Sequence, residues 1–124
     1  MTNGKSIQGA HRTANGYYEV RPSDLLAQSD ALVVDIRDEA ELLSAQGHIH
    51  GVRHLSVEAL PAWLASHAST HAPVVLVCEN GRRSATTATA LAKEFPERAV
   101  CVLVGGMTRW LAEDRPVART KTYV

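Results

Sequence analysis

The stretch VVLVCENGRRSATTATALAKEF, from Val74 to Phe95, decides the fold because it passes from a strand pattern to a helix pattern within one short turn. Its first five residues, Val74–Cys78, form the continuous apolar run typical of a strand covered on both faces. From Ala85 to Phe95 the apolar residues recur at helical spacing, which predicts a helix packed on that strand. The turn between them carries a glycine and two arginines directly after a cysteine, so it is the place to look for chemistry.

Two further runs, Ala31–Ile36 and Ala99–Val104, have the same unbroken β-branched character. Helix-like segments lie at Asp38–Gln46 and Ser56–Ala68. Pro61 is expected to restart the second segment as a new helix, because proline is tolerated in a first turn but not in a helix interior. Strands that alternate with helices predict an α/β fold, with a central, mostly parallel sheet and helices on both faces.

The remaining segments complete a single domain. Tyr17–Val20 is expected to form a short edge strand, and Pro22–Ser29 a first helix. We expect one domain over residues 17–118, because 124 residues with 45% hydrophobic content suffice for one core but not for two. Residues 1–16 and 119–124 lack these patterns and are expected to form loosely ordered tails.

Composition excludes several classes of function. Thirteen Lys and Arg balance thirteen Asp and Glu, so no net charge would draw the protein to nucleic acid or to an anionic membrane. No apolar run is long enough for a membrane span or for a signal-peptide core. The two cysteines are therefore expected to be reduced thiols in a cytoplasmic protein that binds neither nucleic acid nor membranes.

The predicted sheet places three features at one edge. Asp35 and Cys78 end their strands and Gly105–Gly106 follows the third, and ligands of parallel α/β sheets bind at the carboxyl ends of the strands. The two glycines are expected to set the backbone conformation there, with Trp110 in the core. Cys101 lies near the start of its strand, about 10 Å or more from this edge. A Cys78–Cys101 disulfide is therefore not expected, and Cys101 is interpreted as a packing residue.

The turn after Cys78 is suited to stabilising a negative sulfur. Gly81 permits a tight turn whose backbone N–H groups converge on an anion, and Ser84 is expected to cap the helix that follows. The positive end of that helix dipole, together with Arg82 and Arg83, would favour the thiolate form of Cys78. We therefore interpret Cys78 as an activated nucleophile rather than as a buried apolar residue.

Three motifs together resemble those of rhodanese-like sulfurtransferases. Residues 78–84, CENGRRS, are similar to the Cys-x-x-Gly-x-Arg-Ser active-site loop of that family. Residues 33–55 resemble its Asp-x-Arg strand end and Gly-His-Ile-x-Gly turn, although His50 stands where the family often has proline. Residues 103–110, LVGGMTRW, resemble its closing strand, Gly-Gly turn and tryptophan helix. The motifs follow the family's order across residues 20–118, which is more specific than any single match.

The resemblance implies a thiosulfate sulfurtransferase that needs neither a metal nor an organic cofactor. Cys78 would take the sulfane sulfur of a small anionic donor as a persulfide and pass it to cyanide or a thiol, including a protein thiol, in ping-pong order. Arginine side chains would hold the sulfonate oxygens while backbone N–H groups stabilise the sulfur. The residues expected to bind the donor are those of the loop, namely Glu79, Asn80, Gly81, Arg82, Arg83 and Ser84.

Two other classes of protein remain as alternatives. Cell-cycle dual-specificity phosphatases and related arsenate reductases resemble this fold and carry a Cys-x5-Arg loop that cradles a tetrahedral oxyanion, whereas four residues separate Cys78 from Arg83 here. The second alternative is a persulfide carrier or a rhodanese-like binding module for a specific protein partner. The presence of both the cysteine and the loop arginine argues against a module without catalytic use.

Several other polar residues receive structural interpretations. Asp35 and Arg37 lie two positions apart at a strand end and are expected to fix a loop. Arg37 is also a candidate residue at the rim of the pocket. His48 is expected to order its turn by hydrogen bonding. No metal site is expected from the histidines, because no cysteine or carboxylate completes a recognisable ligand set. Glu79, next to the nucleophile, is expected to point to solvent.

Overall fold

A computed structural model describes residues 7–27, 30–67 and 71–124. The strands in these residues are β1 (His11–Arg12), β2 (Tyr18–Val20), β3 (Leu32–Asp35), β4 (Arg53–His54), β5 (Val74–Val77) and β6 (Val100–Leu103). The helices are α1 (Pro22–Leu26), α2 (Glu39–Leu42), α3 (Leu60–Ser66), α4 (Arg82–Glu94) and α5 (Gly106–Ala112). The α/β class is therefore confirmed.

The described strands form one sheet in the order β1-β2-β6-β5-β3-β4. Neighbours pair in parallel except β1 and β2, which are antiparallel. β5 lies inside the sheet between β6 and β3, with Val75 opposite Cys101 and Val77 opposite Asp35. All four residues of β5 are buried, which explains why its sequence is an unbroken apolar run rather than an alternating one.

Helices cover both faces of the sheet, as predicted. The cluster on one face contains Leu64 of α3, Leu76 of β5 and Leu91 of α4. The cluster on the other face contains Leu25 of α1 and Trp110 of α5, packed on the intervening residues of the strands. The loops that follow β3, β5 and β6 leave the sheet between these two layers, at the carboxyl edge where ligands of such folds bind.

Two predicted helices have different bounds in the structure. α2 is a single turn rather than a helix over Asp38–Gln46, because its C-cap Leu43 leaves the helical conformation and Gly47 adopts a positive φ. α4 begins at Arg82, three residues before the predicted start at Ala85. Both arginines of the turn therefore belong to the first turn of α4.

α3 begins at Leu60, so Pro61 lies in its first turn, as predicted. The predicted ends of two helices, at Ser29 and Ala68, lie outside the described residues. Among the helices that the structure describes, none is long and apolar enough to cross a membrane.

The strand predicted at the edge of the sheet is not at the edge. β2 lies between β6 and β1, because His11 and Arg12 pair with it in antiparallel register. Ile7 is also buried in the core beside α1 and α5. The expectation of a loosely ordered N-terminal tail is therefore wrong for residues 7–16, and residues 1–6 lie outside the described chain.

The C-terminal residues are packed as well. The N–H of Val124 donates to the carbonyl of Val52 at 3.1 Å, and the N–H of His54 donates to the carbonyl of Val124 at 2.9 Å. Tyr123 is buried, with its ring edge-on to that of His48. The last residues therefore lie against the outer edge of β4, and the expectation of a loosely ordered C-terminal tail is wrong for them.

Candidate active site

Cys78 occupies the first position after β5, at the carboxyl edge of the sheet, and is fully buried. Its Sγ accepts backbone N–H groups from two residues of the loop, Gly81 at 3.1 Å and Ser84 at 3.4 Å. Sulfur accepts hydrogen bonds weakly when it is neutral and much better when it is charged. Two donors directed at one buried sulfur therefore form a site that stabilises negative charge there.

Gly81 produces this convergence through its backbone conformation. Its φ of 94° lies in the left-handed region, which glycine adopts without steric cost, and this residue is the N-cap of α4. The side-chain oxygen of Asn80 accepts the N–H of Arg82 at 3.0 Å, which holds the same turn from the other side. The N–H groups at the start of α4 are thereby free to point at the sulfur.

Ser84 has a different place from the one predicted. It is the third residue of α4 rather than its cap, because the helix begins earlier than expected. The residue is fully buried, and its Oγ has no hydrogen-bond partner within the described chain. Its contact with the sulfur is made by the backbone N–H.

The Gly105–Gly106 turn supports the loop from beneath. The N–H of Met107 donates to the carbonyl of Cys78, and that of Thr108 to the carbonyl of Glu79, each at 2.9 Å. Gly106 has a φ of 55°, and a Cβ built on it would lie 2.3 Å from the carbonyl oxygen of Cys78. The predicted backbone role of these glycines is therefore confirmed, as is the burial of the tryptophan that follows them in α5.

Arg83 projects from the first turn of α4 and pairs with Glu41 of α2. Its Nη1 and Nη2 donate to the two carboxylate oxygens at 3.2 and 2.9 Å. The hydrogen bond with Glu41 raises the pKa of Arg83, and the charges of Cys78 and Glu79 add smaller contributions in the same direction. The same bond with Arg83 lowers the pKa of Glu41, so both partners are ionised at neutral pH.

Arg82 and Glu79 are exposed, as expected for side chains that extend into solvent. The exposure of Glu79 agrees with the expectation that its carboxylate extends into solvent. Two of the loop residues predicted from the sequence, Gly81 and Ser84, contact the sulfur of Cys78 through their backbone N–H groups. Arg83 lies close enough to interact with Cys78 electrostatically.

Arg37 is buried, and its guanidinium is held inside the protein. Its Nε and Nη2 donate to the carboxylate of Asp35 at 2.9 and 2.8 Å, and further donors reach Gln46 at 2.8 Å and the carbonyl of Gly47 at 2.8 Å. These bonds tie the end of β3 to the turn after α2, in agreement with the structural interpretation of the pair. Arg37 is 1% exposed, which argues against its alternative interpretation as a rim residue.

His48 and His67 have structural contacts. His48 bonds through its two ring nitrogens to the carbonyl of Leu42 at 2.9 Å and to Thr122 at 3.0 Å, so its predicted ordering role is confirmed. The ring of His67 stacks on that of Trp63 with centroids 3.7 Å apart. In the part of the chain that the structure describes, no three metal-ligating side chains form a group that could hold an ion.

Cys101 is buried in β6, opposite Val75. Burial raises the pKa of its thiol to about 12, and its Sγ donates weakly to the carbonyl of Ala99 at 3.8 Å. Both cysteines are free thiols, in agreement with the prediction that they do not form a disulfide.

Known proteins resemble this chain over most of its length. The Rhodanese-like domain family matches residues 22–113, which is most of the chain. The chain belongs to this family. A curated relative, the thiosulfate sulfurtransferase GlpE of Ectopseudomonas mendocina, is 40% identical over 88 residues, 70% of this chain and 76% of the relative.

Two solved structures share the fold at somewhat lower identity. The polysulfide-sulfur transferase homodimer of Wolinella succinogenes has a TM-score of 0.65 and 26% identity, covering 87% of this chain and 82% of the other. A Rhodopseudomonas palustris protein of unknown function, described as a possible tyrosine phosphatase, has a TM-score of 0.68 and 25% identity, covering 79% and 82%. The fold thus occurs in a polysulfide-sulfur transferase and in a protein described as a possible tyrosine phosphatase.

Glu41 is the site residue that sequence reasoning missed. The pattern Asp38-x-x-Glu41 is a capping-box signature, and the structure contains that box at the start of α2. The signature locates Glu41 at a helix N-terminus. It does not indicate that Arg83, 42 residues further along the chain, lies against it.

Proposed function

We propose that this protein is a sulfurtransferase that carries sulfane sulfur on Cys78, with thiosulfate as a donor. The observation that carries the proposal is the pair of backbone N–H groups, from Gly81 and Ser84, directed at the buried Sγ of Cys78. Such donors favour a charged sulfur over a neutral thiol, and they cost no reorganisation when the charge forms. The thiosulfate sulfurtransferase and polysulfide-sulfur transferase names of its relatives support the same chemistry.

In the first half-reaction the Cys78 thiolate attacks the outer sulfur of thiosulfate. A sulfur–sulfur bond forms to Cys78 while the bond between the two sulfurs of thiosulfate breaks, and the electron pair leaves with sulfite. In the second half-reaction, cyanide or a thiolate attacks the outer sulfur of the persulfide and restores the Cys78 thiolate. Arg83, with Arg82 nearby, would hold the sulfonate oxygens of the donor at the mouth of the loop. No step requires a metal or an organic cofactor.

The length of the loop favours sulfur over phosphate. Four residues lie between Cys78 and Arg83, and the N–H groups of Gly81 and Ser84 approach the cysteine sulfur itself. A persulfide adds one atom beyond that sulfur, whereas a phosphate would need room for four oxygens. We propose a cytoplasmic location, where thiols are kept reduced, and a cellular thiol, including a protein thiol, as the physiological acceptor.

The test is the intact mass of the protein before and after a brief incubation with thiosulfate. We expect a gain of one sulfur atom on the peptide that contains Cys78, removed by cyanide with release of thiocyanate. Cys101→Ser should load in the same way, and Cys78→Ser should not load at all. Loading of Cys78→Ser would exclude the proposed nucleophile, and failure of the wild-type protein to load would direct the next assay to an aryl phosphate or arsenate.

The same experiment distinguishes an enzyme from a protein-specific carrier. An enzyme should load with thiosulfate and discharge to cyanide over many turnovers. A carrier should hold one sulfur per chain and release it slowly to small acceptors. The ratio of thiocyanate released to protein present therefore separates the two.

A further inference from the structure

Glu41 binds the guanidinium of Arg83, which is the group that an anionic donor is expected to use. A guanidinium binds a carboxylate or a sulfonate best through two parallel N–H donors, and the two Nη atoms of Arg83 already donate to the two oxygens of Glu41. An incoming sulfonate would have to replace Glu41 at those donors or bind to Arg83 less favourably. Glu41 and the donor therefore compete for the same cation.

The position of Glu41 is built into α2. One of its carboxylate oxygens, Oε1, also accepts the N–H of Asp38 at 3.1 Å, which closes the capping box. The same oxygen accepts from Arg83, so the helix start fixes the carboxylate in front of the arginine. A backbone hydrogen bond therefore supports this position of the carboxylate in addition to the contact with Arg83.

The pair is held loosely enough to be displaced. The side chains of Arg83 and Glu41 are 47% and 31% exposed, whereas those of the Arg37–Asp35 pair are fully buried. Exposed ion pairs contribute little net free energy, so a competing anion can replace the carboxylate. The buried pair has no access to an anion and serves only the loop.

We infer that Glu41 is a specificity-determining residue of the sulfur-transfer site, an internal counter-ion that lowers the affinity of Arg83 for small anionic donors. The inference rests on the proposed function, because it concerns the choice of sulfur donor. Its physical content, competition between Glu41 and an external anion beside Cys78, can be measured without sulfur transfer. Removing the charge of Glu41 should favour anions at the site and leave neutral reagents unaffected.

The test uses two alkylating reagents of similar size, anionic iodoacetate and neutral iodoacetamide, with the modification of Cys78 followed by peptide mass. The ratio of the two rates cancels any change in thiol reactivity and reports the local charge. In Glu41→Gln the ratio should rise by about two- to fivefold, the range expected for an exposed ion pair. The glutamine retains an oxygen that can accept the N–H of Asp38, so the start of α2 is kept.

Glu39→Gln is the matched control. It removes the same charge from the same helix turn, but Glu39 accepts from Tyr123 and pairs with Lys121 instead of Arg83. The rate ratio should stay near the wild-type value in this variant. The rise should be smaller when Glu41→Gln is added to Arg83→Ala, because the cation for which Glu41 competes is then gone and only the direct repulsion between Glu41 and the anion is removed.

Thiosulfate kinetics supply the second measurement. Glu41→Gln should lower KM for thiosulfate several-fold and leave kcat unchanged. A rate ratio that is unchanged or reduced in Glu41→Gln would overturn the inference, as would a raised KM, since Glu41 would then merely hold Arg83 in place. If the rate ratio rises while no variant accepts sulfur from thiosulfate, the proposed function fails and the competition at Arg83 stands.

Discussion

Cys78 and Cys101 lie on neighbouring chain segments, in the clusters on opposite faces of the sheet, and both are excluded from solvent, yet their sulfur atoms face opposite kinds of backbone group. The Sγ of Cys78 accepts N–H groups at 3.1 and 3.4 Å, whereas that of Cys101 is next to the carbonyl oxygen of Ala99 at 3.8 Å. Burial without N–H donors raises the pKa of Cys101 to about 12. Burial alone therefore makes a cysteine inert.

The difference follows from the position of each residue along its strand. Inside a sheet the backbone N–H groups are used by the neighbouring strands, so a cysteine such as Cys101 finds none available. After the end of β5 the chain turns into α4, and the first N–H groups of a helix have no partner within it. A reactive thiol thus requires a strand end followed by a helix start, and Cys78 is the cysteine placed there.

The largest effect on this contrast should come from Gly106→Ala, which removes the support beneath Cys78. The new Cβ would lie 2.3 Å from the carbonyl oxygen of Cys78 and 2.6 Å from that of Glu79, so the loop must shift. We expect a loss of about 3 kcal/mol or more in the free energy of unfolding, and at least a tenfold slower loading of sulfur. Denaturant melts and the mass assay measure the two effects.

Gly51→Ala provides the control for Gly106→Ala. Gly51 also has a positive φ, 80°, but nothing lies within 4 Å of the position that its Cβ would take. It should show the cost of backbone strain alone, roughly 1–2 kcal/mol, with normal sulfur loading. Equal losses of stability and of loading in the two variants would mean that contact with the Cys78 carbonyl has no special weight.

A smaller effect should follow from removing the cation beside the thiol. Arg83→Ala is expected to raise KM for thiosulfate by about tenfold, the loss typical of a charged hydrogen bond, while the N–H donors to Cys78 remain. Arg82→Ala, at the adjacent exposed position, should change KM by less than about threefold. Steady-state kinetics of the two variants at two salt concentrations measure these changes in KM. Equal KM values in the two variants would contradict the assignment of the sulfonate to Arg83.

The sequence predicted those features of the site that depend on local pattern. The unbroken run Val74–Val77, the glycine at position 81 and the Gly105–Gly106 turn each specify a backbone conformation by residue type, and the structure agrees at each. The amino-acid sequence alone therefore locates the thiol of Cys78 at the end of a strand.

What the sequence did not predict depends on contacts between distant segments. Nothing in the pattern around Glu41 identifies Arg83 as its partner, because the two residues are 42 positions apart in the chain. The packing of Tyr123 against His48 was missed for the same reason: a short terminal segment has no periodicity of its own, and only its contacts order it. The early start of α4 was missed because a left-handed glycine cap was read as part of the loop.

The smallest effect should come from Cys101→Ala, which tests the inert side of the contrast. Loading of sulfur should stay within about twofold of wild type, and the lost packing should cost about 1 kcal/mol. The folded-state pKa of about 12 exceeds the ordinary value of 9.0, so in the wild type the unfolded chain loses this proton first as pH rises. The free energy of unfolding of the wild type should therefore exceed that of Cys101→Ala by a margin that shrinks between pH 9 and 12. Denaturant melts at each pH measure this margin. An advantage that stays constant or grows with pH would mean that Cys101 is not held as a neutral thiol, and burial alone would no longer explain why only one cysteine is placed for chemistry.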